Sequence, residues 1–400
     1  MGKLIMGLIR FVLRLMIYFI IAVFMVVGIE YLLCPIYHFP EPQAFQGDHL
    51  FNPYQAIDNP QWKKSNFQVQ SYSWLGLTDG RKNSNKAIDS VYTYMTYDIK
   101  AISDYQKISK YGIGKKSYIP VYEHGYGIWK NHQVLVGARK VLWTDYPIFQ
   151  TVHHKQHILD LLSKDNELVY IAHPRMRGGY STEDMQYLTN YTGQEVLNGF
   201  GNSIAHWDAA LSAGRMVTIM GNDDSHNVFR SDDVGNLCTM IHSPSLDGTS
   251  IIQALAKGAA FGVDFRVPGK HSFNEKRDRI LNIPLLESVK LSGDTLLVQV
   301  DRTPEMMRFI GQGGKVKYAV ERKDSVPCVF SPEDTYIRVE ITFSNGTVFY
   351  LNPVIRYDGD NPWKMDKAEI AVLPTWILRI IGFSVLFLLI FLFLRRRIRN

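Results

Sequence analysis

Two long uncharged apolar runs, one near each end of the chain, constrain this sequence most, because each is long enough to need a bilayer and the polar stretch between them must fold on one side of it. Leu15 to Ile29 carries no charge, and apolar character resumes after Glu30 from Tyr31 to Phe39, enough to cross a hydrocarbon core of about 30 Å. Near the other end Ile380 to Leu394 is uncharged, and Arg379 can snorkel to an interface, which extends the segment back to Leu373. Lys3, Arg10 and Arg14 precede the first run, and Arg395, Arg396, Arg397 and Arg399 follow the second. The positive-inside rule then predicts a two-pass cell-membrane protein with both termini cytoplasmic and residues 40–370 extracytoplasmic. A cleaved signal peptide, or a lipoprotein signal ending at Cys34, is the other reading of the first run. The run is longer than the apolar region of a cleaved signal, no small-x-small site follows it, and Leu33 stands where a lipoprotein signal wants a small residue, so an uncleaved anchor is the reading adopted.

The same ends hold the basic excess. Net charge is +6, from 44 Lys and Arg against 38 Asp and Glu, and the residues flanking the apolar runs account for it, leaving the middle close to neutral. No nucleic-acid footprint is therefore expected. With 46% apolar and 20% charged residues the chain is neither disordered nor fibrous. Three cysteines exclude a disulfide-built scaffold, and Cys238 and Cys328 are not read as a pair.

Four hundred residues leave room for more than one folded unit. Residues 1–39 are read as the first membrane helix with its tail, and residues 40–66, rich in Pro and Asn without periodicity, as an extended connector. From Phe67 short β-rich runs alternate with helix-like stretches: Phe67 to Gln70, Ile99 to Ser103, Tyr118 to Tyr122, Gln133 to Gly137, Leu168 to Ala172, Glu195 to Leu197 and Val217 to Met220 are expected strands, while Ile148 to Ser163 and Thr182 to Thr192 look helical. That alternation predicts an α/β unit over 67–265, closed or open, with a barrel preferred because polar residues cluster after so many strands. Residues 266–282 have linker composition. Residues 283–358 show short alternating strands with Gly-Asp, Asp-Ser and Asn-Gly turn signals, which predicts a small β-sandwich. Residues 370–400 are the second membrane helix and its basic tail.

Glu123, His173, Asp224 and His226 each follow an expected strand. Carboxylates and imidazoles converging from separate strand ends suit a divalent metal of borderline character, such as Zn, Mn or Fe, which takes mixed N and O ligands. The Asp-Ser-His spacing of 224 to 226 lets both ligands on an extended segment face one side. Taken singly, each of these residues is more simply a structural hydrogen-bonder.

Seven motifs carry a resemblance: LTDGRKNSN (77 to 85), AISDYQKI (101 to 108), YEHG (122 to 125), IAHPRMRGG (171 to 179), EVLNG (195 to 199), WDAALSAGR (207 to 215) and GNDDSHN (221 to 227). In content and order they resemble the PHP (polymerase and histidinol phosphatase) superfamily, over about half the chain. The resemblance implies a distorted (β/α)7 barrel that hydrolyses phosphoesters with a cluster of two or three metals, and the β-rich region after it is similar to an Ig-like domain found in some relatives. It implies metal-ligand roles for Glu123, His173, Asp224 and His226. Glu195 and Asn198 match a Glu-x-x-Asn strand in supporting positions. The chain departs where the family carries a His-x-His pair, here Tyr72 and Trp74 ahead of Thr78, Asp79 and Gly80, and where it carries Thr-Asp-His, here Ser103, Asp104 and Tyr105. Indole only donates, and phenol coordinates well only when ionised, so fewer than three ions are expected. Asp104 or one of His124, His132, His153 and His154 would complete a one-metal set.

Arg175 and Arg177, in the glycine-containing loop after His173, are the expected phosphoryl-binding groups, although solvated or ion-paired surface roles fit them equally. Two functions remain open. One is a membrane-anchored, outward-facing phosphoester hydrolase acting on a phosphorylated small molecule or lipid headgroup. The other is a catalytically impaired relative that binds an envelope ligand or partner.

Overall fold

The computed structural model describes residues 2–58, 60–78 and 80–398; Asp79 and Arg399 lie outside the described residues. Gly2–Leu33 and Val372–Ile398 are helices. Within them Ile5–Leu33 and Val372–Leu392 are long and apolar enough to cross a membrane, and their side chains are exposed rather than packed into a core. The helices meet where they join the polar body. Tyr37–His38 pairs antiparallel with Glu369–Ile370, the Ile36 amide donates to Thr375 Oγ1 at 3.0 Å, and Arg379 Nη2 donates to the Leu33 carbonyl at 2.6 Å. One helix therefore runs toward the body and the other away from it.

Between them lies a mixed α/β body with several sheets, none of them closed. A five-stranded sheet runs in the order Val121–His124, Gln133–Ala138, Asn166–Ile171, Gly193–Asn198 and Thr218–Asn222. Its first two pairings are antiparallel and the last two parallel. These strands are buried on both faces, as parallel strands covered by helices are, so the polar residues inside them stand out: Glu123, Glu195, Asn198 and Asn222 have no exposure at all. Val152–Asp165 and Ile204–Ser212 are helices set between successive strands. Of the stretch Thr182 to Thr192 only Asp184–Tyr187 is helical. Asn190 adopts φ 61°, and Gln156 holds the Thr189 backbone through both its amide oxygen and its amide nitrogen, so the chain there is fixed by side-chain bonds instead of a helix.

A larger sheet orders Lys315–Glu321, Met306–Gly311, Tyr336–Thr342, Val348–Leu351, Ala260–Asp264, Leu237–His242, Trp62–Asn66 and Ile99–Lys100. It joins strands from the stretches read as connector, α/β unit and β-sandwich. Trp62–Asn66, at the end of the stretch read as a connector, pairs with Leu237–His242, and Ala260–Asp264 pairs with Val348–Leu351. Within the stretch read as a linker, Phe273–Leu281 is a helix whose Ser272 and Glu275 form a reciprocal N-terminal cap, with Ile280 fully buried. Opposite this sheet stands a three-stranded one, Leu286–Ser292, Thr295–Val300 and Ser325–Val329. Leu296, Val298 and Val300 alternate inward from it and share one apolar cluster with Phe309, Val339 and Ile341 of the larger sheet. The Gly-Asp signal at 293 and 294 is the turn between its first two strands, with Gly293 at φ 56°. All three cysteines are buried free thiols.

The helix Ile204–Ser212 is tied to the Tyr336–Thr342 strand by a buried ion cluster. Arg338 Nε and Nη2 donate to the two carboxylate oxygens of Asp208 at 2.6 and 2.8 Å, Nη1 donates to Glu340 Oε1 at 2.6 Å, and the guanidinium lies over the Trp207 ring. Removing one member of such a group leaves buried charge without a partner. Arg338→Ala should therefore destabilise the chain by about 3–5 kcal/mol, read as a lowered midpoint in denaturant unfolding of the detergent-solubilised protein. Arg338→Lys, which lacks the planar fork, should recover only part of that loss.

Candidate metal centre

The centre is assembled from strand ends. Glu123 lies in the Val121–His124 strand opposite Val134, His132 immediately precedes the partner strand Gln133–Ala138, and His173 follows Asn166–Ile171. The Ala172 amide donates to the His132 carbonyl at 3.0 Å, which brings the two imidazole-bearing segments side by side. Gly125 makes the approach possible: it adopts φ 119°, and a Cβ there would stand 2.6 Å from His132 Cδ2.

Glu123, His132 and His173 form one buried group whose candidate donor atoms all lie within 4.8 Å of one another. Glu123 Oε1 is 2.6 Å from His132 Nδ1 and 3.2 Å from His173 Nε2, while Glu123 Oε2 accepts from Gln70 Nε2 at 2.6 Å. A second layer surrounds His173. Its backbone N–H donates to Glu195 Oε2 at 3.0 Å, and Glu195 also accepts from Asn198 Nδ2 and Asn222 Nδ2, each at 2.7 Å. Asn198 Nδ2 in turn reaches Asp224 Oδ2 at 3.2 Å. Two of these buried residues carry strained backbone, His173 at φ 28° and Asp224 at φ 51°, and so does the buried Gln106 at φ 50°, whose amide donates to the Glu123 carbonyl at 2.8 Å.

Burial alone would discharge these groups, and their neighbours decide which ones it does. Burial works against the Glu123 carboxylate, but the His132 and His173 imidazoles hold it well below the usual carboxylate range. Burial pushes His132 down, with Glu123 opposing. Burial also works against a charged His173, yet the carboxylates of Glu123, Asp224 and Glu195 outweigh it and bring it up to about 9. Glu195 is pushed up to about 8 by burial and by the neighbouring Asp224 charge. Asp224 is raised by burial, and His226 opposes the rise.

The donor set fits a divalent cation. Two imidazoles and one carboxylate are what catalytic zinc sites use while leaving one position open. His132 Nε2, His173 Nδ1 and Asp224 Oδ1 are buried without a hydrogen-bond partner, and buried polar atoms are seldom left so without a reason.

The other expected residues are placed as follows. Asp224 is buried beside the group but not within it, and His226 is half-buried at its edge, with Nδ1 2.8 Å from the Asp224 carbonyl and the ring against Phe200. Asp104 is buried and spends its carboxylate on the Ser71 N–H and hydroxyl, pinning two strand ends together. Arg175 and Arg177 are exposed in the loop after His173, and no ion pair holds either among the described residues. Of the four spare histidines only His132 joins the group. His124 turns to Gln133 and the Thr144 carbonyl, and His153 and His154 lie in the helix beside Tyr31 and Tyr37.

The assignment of Tyr72 and Trp74 to imidazole positions is corrected. Both are exposed, and the buried places at that strand end belong to Gln68 and Gln70, the latter in direct contact with Glu123. The alternation Phe67-Gln68-Val69-Gln70 marks two polar side chains on one face of an otherwise buried segment, a signal available in the sequence. Tyr105 does sit at the group, its ring centroid 5.3 Å from that of His132.

No family model and no curated protein matches this chain. A crystal structure of a two-domain protein from Bacteroides vulgatus, containing a predicted PHP-like metal-dependent phosphoesterase, is similar over 81% of this chain and 99% of that one, at 11% identity and a TM-score of 0.38.

The placement of Gln68 and Gln70 yields a direct test. The double variant Gln68→His, Gln70→His should increase the number of divalent ions bound per chain, measured by elemental analysis after dialysis against Zn or Mn. Tyr72→His with Trp74→His should leave that number unchanged, because those side chains lie outside the buried group.

Proposed function

We propose that this chain is a membrane-anchored PHP-like hydrolase of phosphoesters whose body faces outward from the cell membrane. The observation that carries the reading is the buried Glu123, His132 and His173 group at neighbouring strand ends, with unpaired donor atoms beside it. A barrel-like arrangement is supported by two parallel bridges, Tyr105 with Glu123 and Val69 with Ser225, which join opposite edges of the five-stranded sheet to the parallel pair Trp62–Asn66 and Ile99–Lys100. The outward orientation is supported by Arg10 and Arg14 on the first helix and Arg395 on the second, all toward the ends remote from the body.

A divalent cation held by Glu123, His132 and His173 would supply Lewis-acid polarisation of a phosphoryl oxygen and lower the pKa of water. The chain's own groups do the rest. Asp224, whose Oδ1 accepts no hydrogen bond, and His226 beside it would serve as further ligands or hold the attacking water. Glu195, Asn198 and Asn222 fix the His173 backbone. Arg175 and Arg177, free of carboxylate partners among the described residues, take the phosphoryl charge. In the reaction a bond forms between the water oxygen and phosphorus, the ester P–O bond breaks, and the departing alkoxide receives a proton.

One observation favours a second reading, a barrel that binds without catalysis: Gln70 donates an amide N–H to Glu123, and such a donor competes with a cation for that carboxylate.

The assay that separates them begins with the wild-type chain in detergent, supplied with Zn, Mn or Fe and with generic phosphomonoesters and diesters. The hydrolase reading expects metal-dependent turnover that His173→Ala abolishes. Asn198→Ala, which removes a supporting bond, should reduce it about 10–100-fold. Absence of turnover with every metal, or turnover that survives His173→Ala, contradicts it.

A further inference from the structure

Beside the metal centre lies a cleft of about 610 Å³ with two chemically different ends. Its floor is polar: Tyr105, Gln106, Gly125 and Lys130 line it, and Tyr105 and Gly125 both touch His132. Gln106 is 94% buried, adopts positive φ, and has no partner for either its amide oxygen or its amide nitrogen. A buried side-chain amide left wholly unpaired at the floor of an open cleft is a group waiting for a ligand. The cleft's outer wall is apolar, made by Trp74, Leu77, Tyr126 and Trp143, with the rings of Trp74 and Trp143 edge to face at 6.0 Å.

Hydrogen bonds connect the segments that carry that wall to the first apolar helix. The Tyr126 hydroxyl donates to the Trp143 carbonyl, and the Tyr126 amide donates to Asp145. Trp129 Nε1 donates to the Ile148 carbonyl, and the Tyr31 hydroxyl of the helix binds the backbone of Ile148 and Phe149. Along this path Leu75, Ile128, Trp129 and Phe149 are each at least half exposed. Exposed apolar side chains collected into one patch, with indoles next to a membrane-spanning helix, are what a protein presents to a bilayer interface. Charge agrees with the position: Lys130 lies over the Tyr105 ring, and Arg177 reaches the Ile128 carbonyl from the neighbouring loop. Cations there would meet anionic headgroups.

We propose that this apolar rim enters the leaflet from which the first helix emerges, and that the cleft takes a phosphorylated lipid from that leaflet, its tail along the Trp74 and Trp143 wall and its headgroup on Gln106, Lys130 and the metal centre. The substrate class rests on the hydrolase reading above; the position of the rim does not. Phosphate of a lipid monoester leaves by the same exchange of a P–O ester bond for a bond to water oxygen, and the diacylglycerol part stays in the bilayer.

The test uses the full chain in phosphatidylcholine vesicles. An environment-sensitive fluorophore is attached at Leu75→Cys or Ile128→Cys, with Lys323→Cys as the control, since Cys34, Cys238 and Cys328 are buried. Lipids brominated near the headgroup end of the acyl chain should quench the first two labels and spare the third. Equal quenching at all three, or none, overturns the proposal whatever the activity. The second arm adds phosphatidate to the vesicles and compares phosphate release with that from soluble glycerol 3-phosphate. Phosphatidate should be preferred at least about tenfold; Trp143→Ser, which removes part of the wall that takes the tail, should reduce that preference, whereas Gln106→Leu, which removes a hydrogen bond to the phosphate that both substrates share, should lower turnover of both about tenfold. Equal turnover of both substrates overturns the lipid assignment. Quenching without turnover of either sinks the hydrolase reading and leaves the membrane-facing rim in place.

Discussion

A fully buried carboxylate, Glu123, sets the terms for the centre of this protein. Taking an ionised carboxylate out of water costs several kcal/mol unless it is paired and its remaining lone pairs are filled. Here two imidazoles and one amide fill them, each delivered by a different strand end, so the registers of three segments must be correct together for the charge to be tolerated. A strand slipped by one residue would turn the carboxylate or its partners to the opposite face. The same requirement explains Gly125, whose missing side chain lets His132 come close.

Around that charge the chain has built a layer of groups that act through others. Glu195 holds the His173 backbone, Asn198 and Asn222 hold Glu195, and Asp104 and Ser71 hold the strand ends that carry Gln70 and Tyr105. Networks of this kind gain from low local dielectric when every member is satisfied. Satisfaction is incomplete at the centre itself: among the buried atoms without a hydrogen-bond partner are His132 Nε2, His173 Nδ1, Asp224 Oδ1 and both amide atoms of Gln106, which leaves donors and acceptors free beside the cleft and the metal centre.

Much of this was legible in the sequence. Apolar runs closing on Glu123, His173 and the Asp224 to His226 segment are visible in the sequence; Glu123 and His173 fall in the buried group, Asp224 is buried beside it and His226 is half-buried at its edge. The terminal helices were legible from charge and length alone. Three things were not. His132 carries no local mark, because it lies in a hairpin loop and meets Glu123 only through strand pairing. Gln68 and Gln70 escaped notice because motif spacing ahead of Thr78, Asp79 and Gly80 points to Tyr72 and Trp74, whereas the strand lies earlier, at Trp62–Asn66, and the buried polar side chains follow it directly. Boundaries drawn from composition failed to show that Trp62–Asn66 and Ala260–Asp264 share one sheet with Tyr336–Thr342, since pairing over such distances along the chain leaves no local composition signal.

The chemistry proposed for this centre requires that Glu123, His132 and His173 hold a divalent cation. Equilibrium dialysis of the full-length chain in detergent against Zn or Mn, with bound metal counted per chain, tests it most directly when wild type is compared with His132→Ala. At least one tightly held ion is expected in the wild type and its loss in the variant, with both chains equally folded by circular dichroism. An empty wild type would show that hydrogen bonds alone stabilise the buried carboxylate, and a variant that keeps the same ion would show that the ion is held elsewhere; either result contradicts the claim.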